Sequence, residues 1–109
     1  MRCFNDEIDE AVIEKTGVDK QQIIAMEECS ELIKAISKML RSSEYDPEAV
    51  IKNRSNLLEE IADVSICIER LKKIYDISDV AVQKWVVFKE LRDAARYGIT
   101  EVASEQCQD

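Results

Sequence analysis

Two short acidic clusters, Glu27-Glu28-Cys29-Ser30-Glu31 and Glu59-Glu60-Ile61-Ala62-Asp63, sit inside otherwise apolar stretches of this chain. Reduced to a spacing they are Glu28-x-x-Glu31 and Glu60-x-x-Asp63. On a helix an i, i+3 pair stacks two side chains one turn apart, so two facing helices can direct four carboxylates at a common point. Carboxylates gathered in a low-dielectric space repel one another, and each loses several kcal/mol of hydration unless something positive joins them. The chain has no histidine, and an all-oxygen site suits a hard divalent cation, Mg²⁺ or Mn²⁺.

The elements that must carry these acids are helices. Two glycines and one proline in 109 residues leave little punctuation for the many turns of an all-β fold. Asn5 caps a first helix with Ile8 and Val12 on one face, ending at Thr16-Gly17. A second helix is expected from about Asp19 to Arg41, with Ile24, Leu32, Ile36, Met39 and Leu40 along one stripe. Asp46-Pro47 starts a third, capped by the carboxylate. It continues through Leu57, Val64, Cys67, Ile68, Leu71 and Ile74, with a bend expected around 53–56, where helix propensity is weak. Ser78 caps a final helix carrying Val82, Trp85, Val86, Phe88 and Leu91 to Tyr97-Gly98.

The expected fold is all-α, a small antiparallel bundle of four to five helices completed by oligomerisation. Its parts are an N-terminal helical arm over 1–17, a catalytic helical domain over 18–98 and a polar tail over 99–109. In helical projection Glu60 and Asp63 share the buried face with Leu57, Val64 and Cys67, while Glu28 and Glu31 lie at the edge of the stripe beside Ile24, Leu32 and Ala35. A single E-x-x-E is usually solvated surface charge, answered here by Lys34, Lys38 or Arg70. A second motif on a second apolar helix shifts the balance towards a site.

Composition excludes several other classes. With 23 acidic against 15 basic residues and a net charge of −8, the long-range field repels nucleic acid and anionic membranes. No stretch is apolar enough to span a bilayer or to act as a signal peptide. Cys3, Cys29, Cys67 and Cys107 lack the paired spacing of a zinc site. Cys29 and Cys67 are expected as free thiols packed like small hydrophobes in a reduced, cytoplasmic protein. Di-iron bundles use Glu-x-x-His ligands, and EF-hands hold their acids in a glycine-containing loop, so neither fits. No P-loop is present, so bound phosphates would rely on metal and cationic side chains.

Glu27-Glu28-x-x-Glu31 and Glu60-x-x-Asp63, with the surrounding Met26 to Ala35 and Leu58 to Val64, resemble the signature of the MazG-like all-α nucleoside triphosphate pyrophosphohydrolases. The resemblance covers about residues 20–97. It implies that Glu28, Glu31, Glu60 and Asp63 bind Mg²⁺, with Glu27 ranked below them as a ligand of a second ion or a positioner of water. It implies cleavage of a nucleoside triphosphate between its α- and β-phosphates, and a homo-oligomer, dimer or tetramer. Lys84 and Arg92 on the final helix best match the family's phosphate-binding cations, followed by Lys89. Phe88 stands where some relatives carry a basic residue. Lys34 and Lys38 are further cations within reach of the first motif, and Trp85 or Tyr97 could stack on a base, although such aromatics more often serve a core or interface. Two alternatives stand beside this reading: a phosphoribosyl-ATP pyrophosphohydrolase, which shares the fold and acids, and a non-catalytic helical oligomerisation module.

Overall fold

The structure, a computed structural model, describes residues 4–43 and 45–100. These form four helices and no strand: α1 (Asp6–Thr16), α2 (Val18–Arg41), α3 (Pro47–Ile74) and α4 (Asp79–Arg96). The starts are local chemistry. Asn5 Oδ1 accepts from the Ile8 amide at 3.0 Å, Asp46 Oδ1 from Ala49 at 3.2 Å and Ser78 Oγ from Ala81 at 3.1 Å, each satisfying a donor that the helix leaves unpaired. Gly17, at φ 95°, takes a backbone conformation that disfavours other residues and separates α1 from α2. No helix among the described residues is long and apolar enough to cross a membrane. The expected tail over 99–109 lies, beyond Thr100, outside the described residues, as do Cys3 and Cys107.

The described residues divide into two compact units, one ending at Tyr75 and one beginning at Asp76. In the first, α2 and α3 run antiparallel along each other: Gln21 meets Arg70 near one end, and Asn53 reaches the Lys38 carbonyl near the other. α3 stays helical through 53–56, where the helix propensity is weak. Asn53 Nδ2 donates to Ser42 Oγ at 2.8 Å and to the Lys38 carbonyl at 3.4 Å, so tertiary bonds hold the weak segment in helix.

α1 is tied to this pair by polar contacts. Arg70 Nε donates to Asp9 Oδ1 at 3.0 Å, and Arg70 Nη1 lies 3.4 Å from Gln21 Oε1. Gln21 Nε2 donates to Thr16 Oγ1, whose hydroxyl donates to the Val12 carbonyl, both at 2.7 Å. Lys73 Nζ reaches Asp6 Oδ1 at 3.0 Å, and the Tyr75 hydroxyl donates to Gln22 Oε1.

Buried apolar residues are Ala25, Ala35 and Cys67, joined by the polar Asp9 and Gln21; no large side chain among the described residues is fully buried. Cys29, expected to pack like Cys67, is exposed. The broad α2 stripe expected from the sequence is in fact split: Leu32 and Met39 are half-buried, while Ile36 and Leu40 are exposed. Small residues at the α2–α3 contact keep it narrow, so residues flanking it on the helix circumference fall outside.

The second unit holds α4, a single amphipathic helix that buries none of its residues. Trp85 and Phe88 meet edge to face, with ring centroids 5.9 Å apart and planes at 84°, an arrangement that aligns the positive ring edge with the neighbouring face. Lys89 Nζ lies 5.8 Å from the Trp85 ring centre.

Candidate metal centre

Glu28 comes from α2, and Glu60 and Asp63 from α3. Each brings a carboxylate oxygen to a common point, all within 4.8 Å of one another. Ligand oxygens on opposite sides of a Mg²⁺ octahedron are about 4.2 Å apart, twice its bond length, so the cluster is close to the size such a cation needs. Glu28 and Glu60 are half-buried and Asp63 is exposed, so the cluster opens on its Asp63 side.

The electrostatics of the cluster are unfavourable as it stands. Burial pushes the Glu28 carboxyl above its usual range, and a hydrogen bond with Asp63 followed by the charges of Asp63, Glu60 and Glu31 pushes the same way. Burial also raises Glu60, with Asp63, Glu31 and Glu59 adding to it and Lys38 opposing. Glu60 Oε2 is buried with no hydrogen-bond partner. Buried oxygens of this kind are normally bonded, and an unpartnered oxygen on one of three gathered carboxylates fits a bound cation. Burial, then the Glu28 charge, raises the Cys67 thiol one turn along α3.

The expected site residues are therefore distributed unevenly. Glu28, Glu60 and Asp63 come together, while Glu31 is exposed, outside the group, and paired with Lys34 at 3.2 Å. The expected asymmetry placed the second motif inside and the first at the edge. The structure instead divides each motif: the leading acids Glu28 and Glu60 are half-buried, and the trailing acids Glu31 and Asp63 are exposed. Being one turn on from a half-buried position, each trailing acid has rotated about 60° towards solvent. Glu27 is exposed. Lys38 is the cation whose charge is felt at Glu60, whereas Arg70 pairs with Asp9 and not with the cluster.

Lys84, Lys89 and Arg92 lie on α4, all exposed; Lys89 sits over Trp85, and Arg92 pairs with Asp93 at 3.6 Å. Sequence reasoning missed the buried Asp9–Arg70–Gln21 group. Asp9 sits in the charged run Asp6-Glu7-Ile8-Asp9-Glu10, which carries no local sign of burial. No protein-family profile, curated protein or solved structure matches this chain significantly.

Proposed function

We propose that the protein is a MazG-like, Mg²⁺-dependent nucleoside triphosphate pyrophosphohydrolase, cleaving the α–β phosphoanhydride of a (d)NTP to the monophosphate and pyrophosphate. The observation that carries this reading is the convergence of three carboxylates from two helices, one of which, Glu60, has a buried oxygen with no partner. Glu28, Glu60 and Asp63 would hold the cation, with Glu31 and Glu27 beside them on α2. A divalent cation at this point supplies charge neutralisation for the triphosphate and Lewis acidity towards its phosphoryl oxygens.

The chain's own residues do the rest. Glu27, exposed beside the cluster on α2, is the carboxylate of this reading that could position an attacking water or ligate a second ion. Glu31, the fourth metal-ligand acid of this reading, is exposed and pairs with Lys34 in the absence of an ion. Lys38 brings positive charge to the Glu60 side of the cluster, where a phosphate oxygen would be met. Lys84, Arg92 and Lys89 of α4 are the further phosphate cations of this reading, which also includes a cytoplasmic homo-oligomer.

Purified protein with Mg²⁺ should release pyrophosphate from at least one member of a panel of canonical and modified (d)NTPs, and Glu60→Gln should abolish the release. Absence of turnover across the full panel together with absence of Mg²⁺ binding would sink the proposal. Mg²⁺ binding without turnover would assign the chain to the non-catalytic helical module instead.

A further inference from the structure

We propose that the acidic segment 101–109 of this chain docks on a basic and aromatic face of α4. At about 100° per residue, Lys84, Phe88, Arg92, Trp85, Arg96 and Lys89 fall within one arc of about 140°, and all six are exposed. The acids of the helix, Asp79, Glu90 and Asp93, fall outside that arc. The face is already built. Trp85 and Phe88 meet edge to face, and Lys89 lies over the Trp85 ring. Arg92 meets Asp93 loosely, at 3.6 Å, while Lys84 and Arg96 pair with no acid among the described residues. Four cations flanking two exposed rings call for an anionic occupant with some apolar surface.

The sequence beyond Thr100 has that chemistry. Glu101, Glu105 and Asp109 stand there with no lysine or arginine, and Val102 and Ala103 lie between the first two acids. The end of α4 supplies the starting point. Gly98, at φ 68°, donates its amide to the Ala95 carbonyl at 3.4 Å, and the Ile99 amide donates to the Ala94 carbonyl at 2.8 Å. These paired bonds close the helix and turn the chain off its axis beside the last turn. Lys84 lies about 18 Å back from Arg96 along the helix, and the segment 101–109 reaches about 30 Å when extended. All four cations are therefore within its reach.

Charge selects this occupant over the others. A net charge of −8 repels a free polyanion or an anionic membrane before it meets the face, whereas a tethered segment is held near it at an effective concentration on the order of millimolar. Acids outnumber bases over residues 4–75, so the segment is repelled from that unit and drawn to α4. Attraction between exposed charges is screened over about 8–10 Å at 0.1–0.15 M salt, so the docking must weaken as salt rises. One consequence rests on the proposed function, which assigns Lys84, Arg92 and Lys89 to the phosphates of a triphosphate. On that reading the segment and the substrate compete for the same cations, and the docking restrains turnover at low substrate. The docking itself does not depend on the chemistry of the acidic cluster.

Trp85 is the chain's single tryptophan, so its fluorescence reports on this face alone. Acrylamide, a neutral quencher, measures how open the ring is without responding to charge. For the full chain, raising salt from about 0.02 to about 0.5 M should increase the quenching constant about 1.5-fold or more, as the screened segment leaves the ring. A full-length variant carrying Glu101→Gln, Glu105→Gln and Asp109→Asn should show the raised value already at low salt, with no further response to salt. Equal quenching of the two chains at low salt overturns the proposal, as does a salt response that survives in the variant. Shielding that disappears on dilution assigns the contact to the segment of another copy and also overturns it. With a (d)NTP that turns over, the variant should lower KM about threefold or more at unchanged kcat, as removal of a competitor does; an unchanged KM overturns the competition. A chain inert towards every (d)NTP but shielded in this way refutes the chemistry of the acidic cluster and upholds the docking.

Discussion

Replacing Arg70 by alanine should destabilise the fold far more than replacing Lys73, the other cation of α3 that pairs with an acid of α1. The Asp9 carboxylate is 4% exposed, and Arg70 Nε lies 3.0 Å from its Oδ1. Its second oxygen, Oδ2, is already buried without a hydrogen-bond partner. At that distance the attraction is about 5 kcal/mol for an effective dielectric constant near 20, and Arg70→Ala leaves the acid buried with neither its cation nor water. Breaking such a pair from one side costs about 3–5 kcal/mol, a large part of the roughly 5–15 kcal/mol that holds a domain folded. Urea unfolding followed by far-UV circular dichroism, at fixed protein concentration, should show that loss as a lower midpoint with unchanged slope. The melting temperature should fall by at least about 12 °C. Asp9→Ala should cost less, because Arg70, 17% exposed, can carry its charge to solvent on a flexible stem. The double substitution should recover part of the Arg70→Ala loss, giving a coupling energy of at least about 2 kcal/mol. Lys73, whose partner Asp6 is 59% exposed, is the internal control, with a cost for Lys73→Ala under about 1 kcal/mol. A loss for Arg70→Ala no larger than for Lys73→Ala would refute the reasoning.

The acids of the cluster should act in the opposite sense. Glu28 and Glu60 hold protons more tightly in the fold than the usual carboxyl value of 4.5, so the folded chain binds more protons than the unfolded one between that value and the raised one. Without metal, their contribution to stability should therefore fall as pH rises through this window, and be regained on acidification. Glu60→Gln should raise the metal-free melting temperature at pH 7, with the gain vanishing below pH 4.5. Added Mg²⁺ should raise the melting temperature of the wild type and not of Glu60→Gln; equal responses would remove Glu60 from the site. Glu31→Gln should weaken Mg²⁺ binding less than Glu28→Gln does, because Glu31 lies outside the group of three. Calorimetry should show a larger loss for Glu28→Gln, and the reverse order would make Glu31 the stronger ligand. Ala35→Leu should cost about 1–3 kcal/mol by overpacking and weaken Mg²⁺ binding by forcing α2 from α3, read by urea unfolding and calorimetry together.

Helix ends were legible because a cap is a local interaction: Asn5, Asp46 and Ser78 each accept from an amide three residues on. The acids were legible as a group because their spacing is helical. Their burial was not, because a projection assigns each helix one apolar face, whereas α2 and α3 also carry large apolar residues that are exposed, Ile33 and Leu40 on one and Ile51 and Leu58 on the other. Leu40 reads as a core residue on a single-face projection and is 82% exposed. Asp63 reads as interior for the same reason. The Asp9–Arg70 pair spans 61 residues, beyond what local periodicity can signal.

The residues at the α2–α3 contact explain how acids from two helices come within reach of each other. Ala25 lies one turn before Glu28, Ala35 lies one turn beyond Glu31, and Cys67 lies one turn after Asp63, and these three are the buried apolar residues of the fold. The distance between packed helices is set by the side chains between them, so small residues on both flanks let the carboxylates of Glu28 and Asp63 meet across the contact. Leucines in their place would bury more surface, at about 0.8 kcal/mol per methylene, but would hold the carboxylates apart. The close approach leaves a thin core containing repelling acids and an orphaned oxygen, features that weaken the folded chain. Support lies elsewhere, in the Asp9–Arg70–Gln21 contacts that tie α1 to the helix pair. A cluster of acids at such a contact, destabilising by itself, is the kind of local exception to good packing from which a functional site is inferred.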